Sequence, residues 1–340
     1  MTHNTILVDF PPPQCWEFKD ALEASSEEKW EVLEFVSNRN HGGLQNLIRY
    51  FKYFWLPFRI FLKRKQYKTV LAWQQFFGLI LALYLRLFRV KTGPDVSVMT
   101  FIYKPKASWI GKLYFSFVRY AINCKYIKNV FVYSENEKTY YSDLFGAPKM
   151  LFSALKLGVE DEKERMQAFL QDGGYYVSAG RSNRDYAFLS DAWKNQDRQL
   201  KILCDTLEMD DTYKILCLKD CHNEDYLKEL AGCHGVIIPL QDENISSGQL
   251  VLLHAMMLGK PVIITRNNAL QEYVQDGKTG IVIEKTEQAL ADAVKTLENA
   301  DLYRAISQNA REHFVKNYTY EQLGKNVGSN LTAQQGEQNV

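Results

Sequence analysis

The chain has 340 residues, of which 46% are hydrophobic and 24% charged, and its formal net charge is +1. This ordinary globular balance excludes a largely disordered chain, and the length favours two domains that each bury a core. The longest uncharged run, Thr69 to Leu85, is shorter than the ~20 apolar residues that a membrane span requires. We therefore expect no transmembrane helix, and no nucleic-acid partner.

The six cysteines are scattered, without C-x-x-C pairs or zinc-finger spacing, and no signal peptide is apparent. This usage indicates a reducing compartment, so we expect a cytoplasmic protein. Cys217, Cys221 and His222 lie close enough in sequence to suggest a metal site. Small residues buried near a strand end are the favoured interpretation, because cysteine is among the most often buried residue types.

The first half alternates predicted strands and helices. The predicted strands are Thr5–Phe10, Glu31–Val36, Thr69–Trp73, Val96–Ile102 and Asn129–Tyr133, with a last strand and turn in Lys149–Gly158. The predicted helices are Trp16–Ser25, Phe76–Arg86, Trp109–Asn123 and one that runs through Leu144 and ends at Gly146. Such alternation is typical of a doubly wound parallel sheet.

Leu47–Lys68 is the unusual segment of this half. It holds seven basic residues, no acidic ones and eight aromatic residues. A basic, aromatic amphipathic helix is typical of a protein surface that meets anionic lipid, so we expect peripheral contact with a membrane. The alternative is a helix packed on the sheet with a solvated basic edge. Pro57 is expected to kink or divide the helix.

The second half resumes the alternation after the charged run Glu160–Arg165, which we expect to open a helix. The predicted strands are Tyr175–Ser178, Lys214–Leu218, Val236–Leu240, Val262–Thr265 and Gly280–Glu284. The predicted helices are Ala187–Trp193, Asp225–Ala231, Gln249–Leu258, Glu287–Glu298, Leu302–Val315 and Tyr318–Val327, before a tail that frays from Thr332.

Val236–Glu284 is the segment of this half on which the prediction of a ligand site rests. Where its loop becomes a helix, Ser246, Ser247 and Gly248 offer hydroxyls, free backbone N–H groups and a residue without Cβ. A helix N-terminus favours an anion through its unpaired N–H groups and its dipole. The sequence therefore predicts a phosphate-binding site here.

Three motifs resemble the GT-B glycosyltransferases, particularly the family-4-like (group 1) enzymes of bacterial polysaccharide biosynthesis. They are Gly180-Arg181 with Arg184 after a strand, Gly248–Met256 followed by Gly259–Ile263, and the ending Glu272–Gly280, which matches E-x-V-x-D-G-x-T-G. The similarity is good from Tyr175 onward. Before Tyr175 the chain resembles the family only in its alternation of strands and helices.

The resemblance implies an α/β fold of GT-B type, with two Rossmann-like doubly wound domains facing across a cleft. We expect an acceptor-binding domain at 1–158, a nucleotide-sugar domain at 159–318, a helix at 319–331 crossing back to the first domain, and a frayed tail at 332–340. Arg181 and Arg184 would stabilise the leaving diphosphate. The donor-binding residues would be Gly180, Arg181, Arg184, Ser246, Ser247, Gly248, Gln249, Leu250 and His254.

No metal or other cofactor is expected, because the family works with protein groups and the chain lacks a D-x-D element. The alternative for Arg181 and Arg184 is surface pairing with Asp185 or Asp191, which is less favoured since arginine suits bidentate phosphate contacts.

Two features depart from the family. Ser246 and His254 occupy the positions of its glutamate pair, so the ribose contact is altered or is supplied by Asp242 or Glu243. His254 could instead satisfy a buried hydrogen bond.

The second departure is in the first domain, where Thr100–Lys104 holds no histidine. His41, Asp9 and Glu135 are the only nominees for a catalytic base, and Tyr103 with Lys104 reads as an ordinary strand end.

The resulting hypothesis is transfer of a sugar, most simply from a UDP-sugar, to a lipid-linked or polysaccharide acceptor, by a cytoplasmic protein peripheral to the membrane. Two alternatives stay open. A nucleotide-sugar 2-epimerase shares the fold but needs acid and base groups that are sparse near Ser246 and His254. A catalytically degenerate module that binds a partner would explain the missing glutamate pair.

Overall fold

In a computed structural model of the chain, the described residues are 2–35, 43–243, 247–268 and 270–337, with the backbone alone described at 43–52 and 334–337. The chain divides into two units, Met1–Lys156 with Leu323–Val340, and Leu157–Gln322. Of the helices in this described part, none is long and apolar enough to cross a bilayer.

The first unit is built on a parallel sheet. Its described strands are β1 (His3–Val8), β2 (Trp30–Glu34), β3 (Tyr67–Ala72), β4 (Asp95–Val98), β5 (Ile127–Val132) and β6 (Phe152–Ala154), in the spatial order β2-β1-β3-β4-β5-β6. The helices between them are α1 (Glu17–Ser26), α2 (Gly43–Leu62), α3 (Gln75–Leu87), α4 (Trp109–Ile122) and α5 (Glu135–Phe145). The central strands are apolar runs buried on both faces, as parallel sheets covered by helices require.

α2 carries most of the basic and aromatic segment singled out above. Leu56, Ile60 and Phe61 are buried in the core of the first unit. Pro57 lies inside the helix, which is not divided there. The helix ends at Leu62, and Lys68 already belongs to β3. One face of the segment therefore packs on the unit, as a surface helix does.

The second unit contains another parallel sheet. Its described strands are β7 (Tyr175–Ala179), β8 (Gln199–Leu203), β9 (Ile215–Leu218), β10 (Gly235–Ile238), β11 (Val262–Thr265) and β12 (Ile281–Ile283), in the order β12-β11-β10-β7-β8-β9. Its helices are α6 (Tyr186–Trp193), α7 (Asn223–Gly232), α8 (Gln249–Leu258), α9 (Glu287–Glu298) and α10 (Ala300–Asn317). The strand order reverses between β7 and β10, and ligands of doubly wound sheets bind at such a switch point.

A last helix, α11 (Tyr320–Glu337), returns to the first unit and packs on α1. Two glycines allow close contact: a Cβ at Gly324 would lie 2.3 Å from the carbonyl oxygen of Phe18, and one at Gly328 would lie 2.0 Å from Oγ of Ser25. The sequence predicts fraying from Thr332, but the helix continues to Glu337. The Thr332 hydroxyl donates to the Gly328 carbonyl (3.0 Å).

The fold class is confirmed, since both units contain a parallel sheet with helices, but the predictions differ from the structure in two further places. β8 was not anticipated, because Gln199–Leu203 mixes polar and apolar residues. Glu160–Arg165 does not open an α-helix. The Asp161 carboxylate instead accepts two hydrogen bonds from the Arg311 guanidinium, at 2.8 and 2.6 Å, so a tertiary ion pair overrides the helix propensity of this run.

Candidate functional site

The candidate site lies at the carboxyl ends of β7 and β10, where the strand order of the second unit reverses. Hydrogen bonds join the two loops that leave these strands. The Asn183 side chain donates to the Asp242 carbonyl and accepts from the Asp242 N–H, both at 2.9 Å. The N–H of Asp185 donates to the carbonyl of Pro239 (2.8 Å). The loops are therefore held in one arrangement before any ligand binds.

Gly180 and Gly248 enclose the Arg184 guanidinium within this arrangement. Both glycines have left-handed backbones, with φ of +101° and +97°. A Cβ at Gly180 would lie 2.9 Å from Nη2 of Arg184, and one at Gly248 would lie 3.5 Å from the same atom. Glycine adopts a left-handed backbone without strain and places no Cβ against the guanidinium, which explains why these two positions are glycine.

Arg184 is fixed by three acceptors from the surrounding loops. Its Nε donates to the carbonyl of Ala179 (2.9 Å), and its Nη1 donates to the Ser182 carbonyl (2.9 Å) and to Oγ of Ser247 (3.2 Å). The Ser247 hydroxyl donates in turn to the Ser182 carbonyl (2.8 Å). Arg184 thus has a fixed position rather than the mobility of a surface arginine.

No carboxylate in the described residues pairs with Arg184. Burial lowers the pKa of its guanidinium, because the charged form loses contact with water. The cation lies beside the N-terminus of α8, which carries the positive end of the helix dipole. Two positive groups held together without a counter-ion favour an anion at the same place. The site is electrostatically suited to a phosphate.

Arg181 differs from Arg184, because it is exposed and forms no hydrogen bond or ion pair with the described part of the chain. The alternative in which these arginines pair with Asp185 or Asp191 is not observed. Asp185 binds Lys285 (3.0 Å) and caps α6, and Asp191 binds Lys194 (2.6 Å). The Arg181 side chain is therefore available to a ligand.

The start of α8 supplies the other predicted donor-binding residues. Ser247 is buried, Gly248 is the N-cap and contributes no side-chain hydrogen bond, Gln249 is half-buried and Leu250 is 51% exposed. Ser246 lies outside the described residues. The N-terminus of a helix favours an anion through its dipole, and the cap of α8 places no side chain there.

His254 lies on α8 and faces α7. Its Nδ1 is 3.2 Å from the Tyr226 hydroxyl, and the two rings meet edge to face. Burial lowers the pKa of His254 to about 4, so the imidazole is neutral near pH 7. Burial also raises the pKa of Tyr226, against the opposing effect of the Arg184 cation. Tyr226 thus provides a part-buried hydrogen-bond partner for His254, in agreement with the hydrogen-bonding alternative.

The loop after β11 holds residues that the sequence analysis did not single out. Thr265 is buried, and its hydroxyl oxygen accepts from the Leu240 N–H (2.7 Å). Asn267 is also buried, and it donates to the Asp242 carbonyl (3.2 Å). Both support the loop after β10 through backbone atoms, a role that leaves no sequence motif. Asp242 and Glu243, the substitutes considered for the ribose contact, have exposed side chains in that loop.

The E-x-V-x-D-G-x-T-G ending forms a compact turn. The Thr279 hydroxyl oxygen accepts from the Gln275 N–H (2.9 Å), and the Asp276 carboxylate accepts from the Val282 N–H (2.8 Å). Gly277 takes a φ of +68°. These motif residues therefore have a structural role in this chain, since they turn the backbone into β12.

The nominated bases belong to the first unit. His41 lies outside the described residues, and Glu135 is exposed and 3.8 Å from Lys138. Asp9 is half-buried where the chain leaves β1. Tyr103 is buried, its ring stacks on Tyr114 with centroids 5.4 Å apart, and burial raises its pKa.

The metal set considered from the sequence is not assembled. In the part of the chain that is described, the group with metal-ligating potential is Asp205, Asp220 and His222, all exposed, with ligand atoms within 4.8 Å of one another. Cys217 and Cys221 are half-buried free thiols outside this group.

The amino-acid sequence of this chain is similar to those of known glycosyltransferases in part of its length. Residues 194–299 match the family described as glycosyl transferases group 1. The similarity to group 1 glycosyl transferases therefore lies in the second unit of this chain. A 102-residue stretch is 30% identical to N-acetyl-alpha-D-glucosaminyl L-malate synthase of Bacillus anthracis, and covers 29% of this chain and 26% of that relative. Another, of 93 residues, is 34% identical to D-inositol 3-phosphate glycosyltransferase of Corynebacterium urealyticum, and covers 27% and 22%. These matches span about a quarter of the relatives.

Several solved structures resemble this chain over nearly its whole length. Anabaena HepE in complex with UDP and glucose has a TM-score of 0.65 at 15% identity, covering 98% of this chain and 100% of that one. Sucrose-phosphate synthase from Thermosynechococcus elongatus has a TM-score of 0.68 at 15% identity, covering 99% and 100%. WaaG, a glycosyltransferase of lipopolysaccharide biosynthesis, has a TM-score of 0.57 at 13% identity, covering 97% and 99%. The predicted GT-B fold and the resemblance to group 1 enzymes are confirmed.

Proposed function

We propose that the protein is a glycosyltransferase that moves a sugar from a nucleotide diphosphate donor, with a UDP-sugar as the first candidate, to a hydroxyl of a lipid-linked or polysaccharide acceptor. The observation that carries the proposal is the Arg184 guanidinium, fixed beside the N-terminus of α8 without a carboxylate partner among the described residues. The group 1 match and the names of the relatives support the same activity.

The proposed chemistry uses these groups on the leaving diphosphate. As the bond between the anomeric carbon and the phosphate oxygen breaks, negative charge increases on the diphosphate. A cation and helix N–H groups that are already in position stabilise this charge without reorganisation. Arg184 would supply the fixed charge and Arg181 the mobile one. This division of roles gives leaving-group stabilisation by protein groups, and we propose that the reaction is independent of metal ions.

The proposed setting is the cytoplasmic face of a membrane. All six cysteines carry free thiols, which suits a reducing compartment. In the Leu47–Lys68 segment, Phe54 and Trp55 are about half exposed, and Arg59 and Lys63 are exposed beside them. Exposed aromatic rings among basic groups suit an anionic lipid surface, and such a surface would bring a lipid-linked acceptor to the enzyme.

The test is ligand-induced thermal stabilisation of the full chain, because a ligand that binds the native state raises the melting temperature by an amount that grows with the logarithm of its concentration relative to its Kd. We expect a shift with UDP and at least one UDP-sugar, and a loss of most of that shift in Arg184→Met and Arg181→Ala. Arg304→Met, at an exposed arginine of the same unit, is the matched control. Arg181 is exposed, so its variant tests the site even if Arg184→Met does not fold.

Product analysis then separates transfer from the competing activities. NMR of a UDP-sugar incubated with enzyme and acceptor should show a new glycosidic anomeric signal together with UDP. An epimerised nucleotide sugar instead would favour the 2-epimerase. No shift with any UDP-, GDP- or ADP-sugar would favour the degenerate module, the second candidate, which is supported by the neutral His254 at a position where the family has a carboxylate.

A further inference from the structure

An open cavity of about 770 Å³ lies in the second unit, at the amino ends of its strands. Its walls are the loops that precede β7, β10 and β11, the C-terminal ends of α8 and α9, and one side of α10. The candidate donor site lies at the carboxyl ends of the strands and at the N-terminus of α8. The ten residues of α8 therefore separate the two places by about 15 Å. The volume is in the range of pockets that hold small molecules.

Two basic side chains are fixed in the wall of this cavity. The Arg311 guanidinium binds the Asp161 carboxylate (2.8 and 2.6 Å) and donates to the Met257 carbonyl at the end of α8 (2.9 Å). Lys260 is 4% exposed, and its Nζ donates to the carbonyl of Cys233 (2.8 Å). Both cations are therefore held in place by oxygen atoms of the protein before any ligand binds.

Lys163 is a third cation of the wall, and it differs from the other two. Its ammonium forms no hydrogen bond or ion pair with the part of the chain that the structure describes. Burial lowers the pKa of Lys163 and the Arg311 cation lowers it further, against the opposing effect of Asp161. Lys163 is also one of the groups that lower the pKa of Lys260, after burial. These cations are thus close enough to repel one another, and an anion among them would relieve that repulsion.

Ser307 and Gly259 leave an unused hydroxyl and free space beside this ammonium. A Cβ at Gly259 would lie 3.8 Å from both Nζ of Lys163 and the Ser307 carbonyl oxygen. The Ser307 hydroxyl is near that of Tyr303, which donates to the His234 carbonyl (2.9 Å). The oxygen of the Ser307 hydroxyl is itself buried without a hydrogen-bond partner among the described residues. Such a group is costly to bury unpaired, so a ligand oxygen that reached it would be stabilised.

The carboxylates that line the cavity are either paired or exposed. Asp172 binds His234, with 2.7 Å between Oδ2 and Nδ1. Glu298 and Glu312 are exposed, and Glu312 accepts from the Gln308 side chain (2.9 Å). Carboxylate and amide groups are suitable partners for sugar hydroxyls. The lining therefore combines cations that suit a phosphate with polar groups that suit a sugar ring.

We propose that this cavity is a second ligand site, which binds a phosphorylated monosaccharide. The phosphate lies between Lys163 and Lys260, because a phosphate monoester accepts several charge-assisted hydrogen bonds at once. The sugar hydroxyls bond to Ser307 and Gln308. This ligand is distinct from the sugar donor, since the groups proposed to hold the donor diphosphate lie at the other end of α8. The inference goes beyond the proposed function and does not depend on it.

The experiment is calorimetric titration of the full-length protein with the 6-phosphates of glucose, mannose and fructose, with the three parent hexoses, and with inorganic phosphate. We expect at least one hexose phosphate to bind with 1:1 stoichiometry, inorganic phosphate to bind roughly tenfold more weakly, and the parent hexoses to show no binding. Lys163→Met keeps the apolar stem and removes the charge, so the affinity should fall on the order of tenfold or more. Ser307→Ala should lower it about threefold to tenfold.

A matched control and a competition keep the test specific. Lys278→Met removes an exposed lysine of the same unit outside the cavity and should bind the hexose phosphate like the wild type. Titration in the presence of saturating UDP should give the same affinity. Displacement by UDP, wild-type affinity in Lys163→Met, equal affinity for inorganic phosphate, or no binding of any hexose phosphate would each overturn the proposal. The UDP-dependent thermal shift should persist in Lys163→Met, so failure of this cavity is distinguishable from failure of the donor site.

Discussion

The Arg184 Nη1 donates a hydrogen bond to the Ser247 Oγ at 3.2 Å, and this contact joins the loop after β7 to the start of α8. The Ser247 hydroxyl donates a hydrogen bond to the Ser182 carbonyl (2.8 Å), so the Ser247 side chain binds both Arg184 and Ser182. The two motifs that lie far apart in sequence, Gly180-Arg181 and Ser247-Gly248, are thus parts of one hydrogen-bonded unit.

Ser247→Ala tests this contact. The substitution removes the hydrogen bond from the Arg184 guanidinium to Ser247 and one of the two hydrogen bonds that the Ser182 carbonyl accepts. We expect the free energy of unfolding to fall by about 1–2 kcal/mol. Affinity for UDP should fall roughly tenfold, because Arg184 loses one of the groups that fix it. Urea denaturation and calorimetric titration measure the two effects, and Ser116→Ala, at an exposed serine of α4, is the control.

Gly180→Ala and Gly248→Ala test the enclosure of the guanidinium. Each combines a left-handed backbone with a new Cβ close to Arg184, so we expect a loss of about 1–3 kcal/mol in unfolding free energy together with loss of UDP binding. Gly277→Ala is the comparison, because its φ is +68° but nothing lies within 4 Å of its added Cβ. It should lose stability through the backbone alone and bind UDP normally. Equal UDP affinity in all three variants would contradict the role of the two glycines.

The sequence predicted most strands and helices of both sheets, because the pattern of apolar residues within each segment shows which of its sides is buried. The strand that it missed, Gln199–Leu203, carries Gln199 and Lys201 at partly exposed positions of the second sheet. The Glu160–Arg165 run could not be assigned correctly, since its conformation depends on Arg311, about 150 residues away in sequence. Local patterns carry no information about such a partner.

The same limit applies to the site. The motifs located both loops, yet the sequence assigned Arg181 and Arg184 a common role. In the structure Arg184 is held by three acceptors and Arg181 by none among the described residues, a difference set by which carbonyls the fold brings near. Tyr226 was not recognised as the partner of His254, because one is on α7 and the other on α8.

His254 predicts a specific dependence of stability on pH. Its pKa in the folded state is about 4, below the ordinary value of 6.5, so the unfolded chain binds the proton more tightly. The stabilising effect of the neutral ring is present above pH 6.5 and is lost as the pH falls from about 6.5 towards 4. The loss should reach roughly 2–3 kcal/mol over this window. His254→Gln should flatten this part of the profile in urea denaturation.

The exposed His222 provides the control for that measurement. His222→Gln replaces an exposed histidine of the same unit, and its profile is measured beside that of His254→Gln. Carboxylates titrate near pH 4, so the difference between each variant and the wild type is the quantity to compare. A His254→Gln profile parallel to the wild type between pH 6.5 and 4.5 would contradict the assignment.

The contact of α11 with α1 gives the last prediction. Gly324→Ala would put a methyl group 2.3 Å from the carbonyl oxygen of Phe18, a backbone atom that cannot rotate away. Alanine gains about 1 kcal/mol in helix propensity over glycine, but the overpacked contact costs about 1–3 kcal/mol, so we expect a net destabilisation. Asn326→Ala, at an exposed position of the same helix, gains propensity without a new contact and should be neutral or slightly stabilising. Urea denaturation of both variants decides the point, because stabilisation by both would mean that α11 is not packed closely on α1.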